Sequence, residues 1–387
     1  MKVYMDYNAT TPVDPRVAER AIPYLKKDSF GNPSSFHTYG QEARAAVTAA
    51  REEVARTLNA PAHSVLFTSG GSEGDNHAIK GVFFARREKG NHIITTQVEH
   101  PAVLGTCEWL EKVEGARVTY LPVDRQGHLD PQQVAGAITD KTTLVTVMMA
   151  NNETGVIFPI KEIAAVCRAK GVICHTDAVQ AMGKLPLDVE ALGVDLLSIA
   201  GHKMYAPKGV GALYFRPGTP LNNLLHGGHQ EGGLRAGTEN IVGIIAMGEA
   251  CRIIREDLEQ DRQRLTALRD RLENGILSGI PHTFVNGDRE NRVCNTSNIT
   301  FEFIEGEALL LALDMAGVAL SSGSACASGS EEPSHVLQAM GLKPEQARAS
   351  LRFSIGRFTN AEEVDYVLEK LPAIVTRLRA LSPIAPH

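Results

Sequence analysis

Residues 195–215 read DLLSIAGHKMYAPKGVGALYF, and this stretch decides the fold class. An apolar run typical of a short strand is followed by a turn rich in glycine and proline, and a second apolar run begins at Gly211. Helical patterns such as Glu73–Arg87 and Ile160–Lys170 separate further runs upstream. These runs are SVLFTSG (64–70), HIITT (92–96), RVTYLP (117–122), TTLVTVMM (142–149) and GVICHTD (171–177). Continuous apolar strands alternating with helices predict an α/β fold, with a mostly parallel seven-stranded sheet that helices cover on both faces.

The pattern changes after a long, heavily charged amphipathic helix predicted at Ile241–Ser278. Two strand-like runs, SNITFEF (297–303) and ASLRFSIG (349–356), then alternate with helical patterns at Glu307–Met315 and Ala361–Leu378. These elements predict a smaller α+β domain. A chain of 387 residues is long enough for two domains. We expect a large domain at 15–255 and a small domain built from 1–14 and 256–387.

A helix signal opens the expected large domain. Asp14 suits the N-cap and Pro15 the first position of a helix over Arg16–Lys26. Pro23 is expected to kink this helix or to end it early, because proline cannot continue the backbone hydrogen-bond ladder.

Composition narrows the classes of function. Apolar residues make up 43% and charged residues 22%, as in ordinary globular proteins, and the net charge of −6 disfavours a nucleic-acid partner. The most apolar stretch, ALLLALDMAGVAL (308–320), is interrupted by Asp314 and is too short to cross a bilayer. No signal-peptide-like run opens the sequence, so we expect a cytoplasmic protein without direct membrane contact.

Cysteine usage argues against disulfides and metals. The six cysteines include no C-x-x-C pair, which disfavours a disulfide framework and a structural zinc site. The segment HGGHQ (226–230) offers two histidines, and two ligands do not make a metal site. We therefore expect reduced thiols and no metal.

Two side chains at predicted strand ends point to covalent cofactor chemistry. Lys203 follows one strand, in a loop of small residues where desolvation would turn its amine into a Schiff-base nucleophile. Asp177 ends the preceding strand, at the sheet edge where ligands of α/β proteins bind. Taken singly, Lys203 could be a solvated loop lysine and Asp177 a helix cap. Together they match pyridoxal phosphate (PLP), which needs a lysine for its aldehyde and an acid for its pyridine nitrogen.

A phosphate cradle is predicted in FTSGGSEGDNHAIKG (67–81). A strand leads into Gly70, Gly71 and Ser72, and a helix follows, whose first backbone N–H groups would hold a dianionic phosphate. Many strand–helix turns contain a Gly-Gly pair, so this motif is informative only beside the other two.

The chain resembles the cysteine desulfurases of the NifS/IscS type, which are fold-type I, class V PLP enzymes. The resemblance extends over almost the whole length, with its motifs in the expected order. These motifs are MDYNATTPVDPRV (5–17), FGNPSSFHTYG (30–40), FTSGGSEGDNHAIKG (67–81), VEHPAVL (98–104), ANNETGV (150–156), HTDAVQ (175–180), GHKMYAPKGVGALY (201–214), GLRAGTENI (233–241), SSGSACASGSEEPSHVL (321–337) and LRFSIGRFT (351–359).

The resemblance implies a role for each cofactor residue. Lys203 would hold PLP through a Schiff base, and Asp177 would pair with the pyridine nitrogen. Gln180 and Asn152 would contact the ring hydroxyl, and His100 would stack on the ring and assist proton transfer.

The resemblance also implies the phosphate and substrate contacts. Gly71, Ser72 and His202 would grip the phosphate. Thr238 would reach the phosphate of a partner subunit, which implies a homodimer with shared active sites. Arg352 would pair with the substrate carboxylate, a bidentate task that suits arginine, and Asn8 would help to hold the same carboxylate.

Several of these residues have a simpler interpretation when taken alone. His100 precedes Pro101 and could serve a helix N-terminus, Asn152 could turn the chain after a strand, and Arg352 could be a surface ion-pair partner. The sequence departs from the family at Ala200, where many relatives carry a serine that binds the phosphate. One neutral hydrogen bond to the phosphate, worth about 0.5–1.5 kcal/mol, should be missing.

Cys326 lies among serines, glycines and alanines, which give a buried thiol almost nothing apolar to pack against. By resemblance, the loop 321–333 is mobile and Cys326 is the catalytic nucleophile that takes the substrate sulfur as a persulfide. Small residues suit a loop that must carry sulfur outward.

The resemblance therefore implies a PLP-dependent L-cysteine desulfurase that supplies sulfur to an acceptor or to an iron–sulfur scaffold protein. Three alternatives remain open from the sequence: a selenocysteine lyase, a class V aminotransferase and a non-catalytic thiol carrier. The acceptor is not identified by the sequence.

Overall fold

The computed structural model describes residues 1–27, 29–322 and 332–382. The strands in these ranges are β1 (Val3–Tyr4), β2 (Val65–Thr68), β3 (His92–Thr96), β4 (Arg117–Leu121), β5 (Thr142–Thr146), β6 (Ile173–Asp177), β7 (Leu196–Ala200), β8 (Gly211–Phe215), β9 (Thr283–Asn286), β10 (Thr296–Phe301), β11 (Val318–Ala319) and β12 (Ser350–Ser354). The α-helices are α1 (Pro15–Ala21), α2 (Thr38–Leu58), α3 (Gly71–Ala85), α4 (Pro101–Glu114), α5 (Pro131–Ala137), α6 (Ile160–Ala169), α7 (Val189–Leu192), α8 (Ile241–Gly279), α9 (Gly306–Met315), α10 (His335–Ala339), α11 (Pro344–Arg348) and α12 (Ala361–Leu381).

The central sheet has seven strands in the order β2-β8-β7-β6-β5-β3-β4. Strand β8 runs antiparallel to β2 and β7, and the other neighbouring pairs are parallel. The prediction of a mostly parallel seven-stranded α/β sheet is therefore confirmed. Because β8 reverses directly after β7, the short connection 201–210 lies at the carboxyl end of β7, and it contains Lys203.

Both faces of the sheet are buried, as the continuous apolar strands predict. Leu196 and Leu213 pack with α3 and α4 in one apolar cluster. Their neighbours Leu197 and Ala212 lie in a second cluster, with residues of α2, α6 and the first half of α8. Adjacent strand residues point to opposite faces, so each strand contributes to both layers.

A further apolar cluster lies around the second half of α8. It joins Leu272 and Ile276 to the antiparallel sheet β12-β10-β9, to α12 and to Val3 and Met5 near the N-terminus. The first strand, β1, pairs in parallel with β11. The division into domains at 14/15 and 255/256 stays a proposal, supported by these separate clusters along one helix of 39 residues.

The predicted elements that flank the sheet are found with small shifts of boundary. The side chain of Asp14 accepts from the backbone N–H of Arg16, and α1 ends at Ala21, where a 3₁₀ turn containing Pro23 follows. Helix α2, with 21 residues, was not among the predicted elements. No helix in the described ranges is long and apolar enough to span a bilayer.

Candidate active site

One cavity of about 540 Å³ lies at the carboxyl ends of β6 and β7. Asn8 of the N-terminal segment and Arg352 of β12 also line it, so the two ends of the chain contribute to its wall. Most of the residues predicted for the site meet here: Asn8, Gly71, Ser72, His100, Asn152, Asp177, Gln180, His202, Lys203 and Arg352. Nine of the described lining residues were not predicted as site residues: Ala9, Asp75, Pro101, Met148, Ala150, Glu153, Val179, Ala200 and His335.

Lys203 ends a 3₁₀ turn, Gly201–Lys203, that directly follows β7. Its Nζ donates to the backbone carbonyl oxygens of Asn8, at 2.5 Å, and of Ala9, at 2.7 Å. The N-terminal segment thus holds the amine at the cavity wall.

Asp177 is the last residue of β6 and is buried. One carboxylate oxygen accepts from the backbone N–H of Val179, at 2.9 Å. Burial raises the pKa of this carboxyl to about 6, while the N–H of Val179 and the charge of Lys203 act in the opposite direction. A cationic partner inside the cavity would favour the ionised carboxylate.

A layer of buried polar groups lies beside Asp177. His175 contacts Thr146 Oγ1 at 2.8 Å and Ser198 Oγ at 3.0 Å, and burial lowers its pKa to about 3, so the ring is neutral. Asp75 Oδ1 is 3.7 Å from His175 Nε2 and has no hydrogen bond to any group in the described ranges. The sequence carries a signal for Asp75, since it lies four residues after Gly71 and so on the same face of α3.

His100 is both the N-cap of α4 and a cavity residue. Its Nδ1 accepts from the backbone N–H of Ala102 at 3.1 Å, so the proton of the neutral ring lies on Nε2. Burial, and then the charges of Lys203 and His335, lower its pKa to about 4. The structural role and the proposed catalytic role therefore coexist in one side chain.

The start of α3 forms a narrow cradle at the cavity. A Cβ built on Gly71 would lie 2.7 Å from Val179 Cγ2, and one built on Gly211 would lie 2.7 Å from the backbone carbon of Gly70. Only glycine fits these close approaches. The first N–H groups of a helix lack partners within the helix, so this end suits an anion.

His202 lines the cavity beside this cradle, and its Nδ1 lies 3.2 Å from Thr10 Oγ1. Burial lowers the pKa of His202 to about 4, so it can meet a phosphate as a neutral donor. Ala200 also lines the cavity and carries no hydroxyl.

Arg352 is 2% exposed and therefore is not a surface residue. Its guanidinium donates to Asp6 Oδ1 at 2.8 Å and to the backbone carbonyl of Asn152 at 3.0 Å. Its buried Nε has no acceptor within the described ranges. The same carbonyl of Asn152 accepts from Asn8 Nδ2 at 3.1 Å, which connects the proposed carboxylate-binding residues.

Two predicted site residues are not placed in this cavity. Thr238 is exposed and does not line it. Cys326 lies outside the described residues. In the described ranges, no group of histidine, cysteine, aspartate and glutamate residues could hold a metal ion.

The residues of the cavity fit PLP. Lys203 supplies an amine, Asp177 a buried carboxylate, and the glycine cradle at α3 a site that a Cβ would fill and that suits a phosphate. The buried Nε of Arg352, which has no acceptor in the part of the chain that the structure describes, leaves a donor for a substrate carboxylate. The fold and these cavity residues together define the class of protein: this is an α/β enzyme that depends on PLP.

Comparisons with known proteins identify the family. The aminotransferase class-V family matches residues 3–367. The cysteine desulfurase IscS of Clostridium botulinum is 50% identical over 385 residues, which cover 99% of this chain and 96% of that protein. The cysteine desulfurase of Trichormus azollae is 53% identical over 381 residues, covering 98% and 94%.

Solved structures agree with these relatives. A NifS-like protein superposes with a TM-score of 0.92 at 36% identity and covers 98% of this chain and 100% of its own. A structure described as SspA in complex with cysteine has a TM-score of 0.81 at 38% identity, with 93% and 100% covered. The chain therefore belongs to the aminotransferase class-V family and, within it, to the cysteine desulfurases of the NifS/IscS type.

Proposed function

We propose that this chain converts L-cysteine to L-alanine and retains the removed sulfur as a persulfide on Cys326. The observation that carries the proposal is the convergence of Lys203, Asp177, His100 and Arg352 on one cavity. The relatives that match nearly the whole length of this chain are cysteine desulfurases, and one similar structure is described as a complex with cysteine.

Each cavity residue has a task in this reaction. Bound PLP would withdraw electrons from the substrate Cα and so loosen the bonds around it. Lys203 would hold the cofactor and then move the Cα proton, and Asp177 would keep the pyridine nitrogen protonated. Arg352 and Asn8 hold the substrate carboxylate.

The remaining residues bind and orient. Gly71, Ser72 and His202 would hold the phosphate, Gln180 and Asn152 would contact the ring oxygen, and His100 would lie against the ring. The ring of His100 is neutral and its Nε2 carries the proton, so this nitrogen can donate a hydrogen bond into the cavity.

The Cys326 thiolate attacks the sulfur of the substrate. The new bond joins the two sulfur atoms, and the bond between that sulfur and the substrate Cβ breaks, leaving its electron pair on the three-carbon fragment. Protonation of that fragment completes L-alanine. In sum, L-cysteine and the Cys326 thiol become L-alanine and the Cys326 persulfide.

The other thiols are unsuited to this attack. The five described cysteines are free and buried: Cys107, Cys167, Cys174, Cys251 and Cys294. Burial raises the pKa of Cys107 and of Cys251 to about 12, so neither forms a thiolate at neutral pH. Free thiols also support the proposal of a cytoplasmic location.

The active enzyme is proposed to be a homodimer in which Thr238 reaches the partner's PLP phosphate. Thr238 is exposed and away from its own cavity, as a contact to a second subunit requires. A group of exposed apolar side chains between residues 25 and 39 supplies a surface to bury: Leu25, Phe30, Phe36 and Tyr39.

After alanine has formed, the persulfide on Cys326 is passed to a sulfur acceptor or an iron–sulfur scaffold protein.

The test compares alanine release from L-cysteine by the unmodified protein, Lys203→Ala and Cys326→Ser, all loaded with PLP. Lys203→Ala should lose both turnover and the borohydride-reducible bond to PLP. Cys326→Ser should keep that bond and the spectral response to L-cysteine, but alanine and sulfide should fall to background. Cys251→Ser is the matched control and should retain turnover.

Other outcomes would change the assignment. Near-normal turnover by Cys326→Ser would contradict the proposed nucleophile. Product that forms only with a keto-acid co-substrate would indicate an aminotransferase, and turnover of selenocysteine alone would indicate a selenocysteine lyase. A protein that binds no PLP would be a thiol carrier.

A further inference from the structure

Lys184 is a buried lysine that the proposed reaction does not use. It is 7% exposed and lies in the segment after β6. Its Nζ donates to Gln180 Oε1 at 2.6 Å and to Asn8 Oδ1 at 3.0 Å. Gln180 and Asn8 both line the cavity, whereas Lys184 is not among the described residues that line it.

The contacts of Gln180 determine which way its amide is turned. Burial lowers the pKa of Lys184 to about 7. In its protonated form the lysine only donates hydrogen bonds, so the atom of Gln180 that then faces it must be the oxygen. The nitrogen, Nε2, donates to the backbone carbonyl of Asn8 at 2.9 Å, and a carbonyl only accepts. Two independent partners therefore require the same orientation.

We propose that Lys184 is a positioning residue that makes Gln180 present an N–H donor to the ring oxygen of bound PLP. With Oε1 held by Lys184 and one N–H held by Asn8, the second N–H of Gln180 remains for the cavity. The inference rests on the proposed function only in requiring that PLP binds in this cavity.

The orientation has a measurable consequence. A hydrogen bond donated to the anionic ring oxygen reduces the negative charge that this oxygen presents to the protonated nitrogen of the Lys203–PLP linkage. The pKa of that nitrogen is therefore lower, and the linkage loses its proton at lower pH. Charged and titratable groups that face Lys203 also affect this midpoint: Asp177, His100, His202, Lys184 and Arg352. Cys294 faces Lys184. The experiment must therefore separate the hydrogen bond of Gln180 from the charge of Lys184.

The experiment titrates the visible absorption of the PLP-loaded protein with pH in four forms: unmodified, Lys184→Met, Gln180→Leu and the double variant. Each single variant should move the midpoint upward by roughly 0.5–1 pH unit, the effect of one neutral hydrogen bond. In the Gln180→Leu background Lys184→Met removes only the charge of the lysine, so its shift should be clearly smaller than in the unmodified background. An equal shift in both backgrounds would overturn the proposal, because the lysine would then act through its charge alone.

Two further variants sharpen the result. Asn295 donates to the same Asn8 Oδ1 at 3.1 Å, so Asn295→Leu removes a partner of the Asn8 side chain but none of the hydrogen bonds that Lys184 and Gln180 make. Its midpoint should stay unchanged, and a shift equal to that of Lys184→Met would overturn the proposal.

Lys184→Gln keeps an uncharged N–H donor and should restore most of the unmodified midpoint. If Lys184→Met does not fold, Lys184→Gln replaces it in the same titration. A shift by Lys184→Gln as large as that of Gln180→Leu would contradict the proposal. Failure of the unmodified chain to take up PLP would overturn the proposed function as well, whereas the other outcomes concern Lys184 alone.

Discussion

At the scale of single residues, burial determines which cavity groups are charged. Burial lowers the pKa of His100 to about 4 and of His175 to about 3, and it raises the pKa of Asp177 to about 6. A protonated pyridine ring would favour the ionised form of Asp177, and the neutral rings of His100 and His175 add no positive charge that would oppose its binding. None of these shifts can be obtained from the residue types alone.

The protonation of His100 can be measured in the PLP-free protein. NMR of the histidine rings, assigned with His100→Gln, should show His100 neutral from pH 8 to roughly 5.5, well above its lowered pKa of about 4. His175 should stay neutral further into acid, with its pKa near 3. A midpoint for His100 near that of a free imidazole, roughly 6.5, would contradict the burial argument.

The same shift affects stability with a definite sign. An unfolded His100 takes up its proton near pH 6.5, whereas the folded one does so near its pKa of about 4. The contribution of His100 to the free energy of unfolding is therefore complete above about pH 6.5 and is lost progressively as the pH falls toward 4.

Ala200→Ser should tighten PLP binding. Ala200 lines the cavity, and a Cβ built on Gly71 would lie 3.5 Å from its Cβ, so a hydroxyl here is close to the phosphate cradle. The dissociation constant should fall by at most about tenfold, the effect of one neutral hydrogen bond. Ala150→Ser makes the same change elsewhere on the cavity wall and should not tighten binding. Weaker binding by Ala200→Ser would mean that another group already fills that position.

At the scale of elements, the cavity depends on the close approach of β8 to the turn before α3. A Cβ on Gly211 would meet the backbone carbon of Gly70 and the carbonyl oxygen of Ile199, each at 2.7 Å. Backbone atoms within a packed sheet cannot move aside as a flexible side chain can. The first turn of α3 therefore keeps its place over the ends of β7 and β8.

Gly211→Ala should lower the free energy of unfolding by about 1–3 kcal/mol, the usual effect of overpacking. It should also weaken PLP binding, since the phosphate cradle would shift. Gly105→Ala is the control: Gly105 lies within α4 with nothing inside 4 Å of an added Cβ, and alanine should stabilise this helix by up to about 1 kcal/mol. Urea unfolding of both variants tests the argument. Equal stability of the two would show that the sheet adapts to a Cβ at Gly211.

Helix α2 shows where the sequence prediction was incomplete. Its buried positions Ala43, Val47, Ala50 and Val54 recur at the three- and four-residue spacing of an amphipathic helix. Asn59, in the left-handed conformation, ends it. The signal was present in the sequence, so this omission has no tertiary cause.

At the scale of the whole molecule, ion pairs connect segments that are distant along the chain. The guanidinium of Arg357, which follows β12, bonds to Asp14 before α1 and to Asp261 of α8, each at 2.9 Å. Arg16 extends this network to Asp257 at 3.0 Å. The N-terminal segment, which carries Asn8 into the cavity, is thereby fixed to both parts of the molecule.

Dimer formation should depend on the exposed apolar group between residues 25 and 39. Phe36 is 87% exposed, and Phe36→Asp would place a charge on the surface proposed to be buried between subunits. Size-exclusion chromatography with light scattering should then show a shift from dimer toward monomer, together with loss of PLP. Leu381→Asp changes a residue 77% exposed at the end of α12 and should leave the dimer intact. Equal masses for both variants would place the interface elsewhere.

The sequence by itself determined the sheet, and it predicted the pair Asp177 and Lys203 and the glycine turn at Gly71 and Ser72. Continuous apolar runs are a local pattern, and they located all seven strands of the central sheet. Because residues at the carboxyl ends of parallel strands meet at one edge, Asp177 and Lys203 could be placed together from strand order alone. Other residues, such as Arg352 and Asn8, were reached only through resemblance to a family, since nothing in their local pattern indicates a cavity.

Only the tertiary structure decided what surrounds those residues. Arg352 meets Asp6 across 346 positions of chain, and Lys184 turns the amide of Gln180 by a contact that no local pattern predicts. The physical reason is that such contacts, and the pKa shifts that accompany them, depend on which groups are desolvated together. Desolvation is a property of the packed core as a whole, to which residues from both ends of the chain contribute.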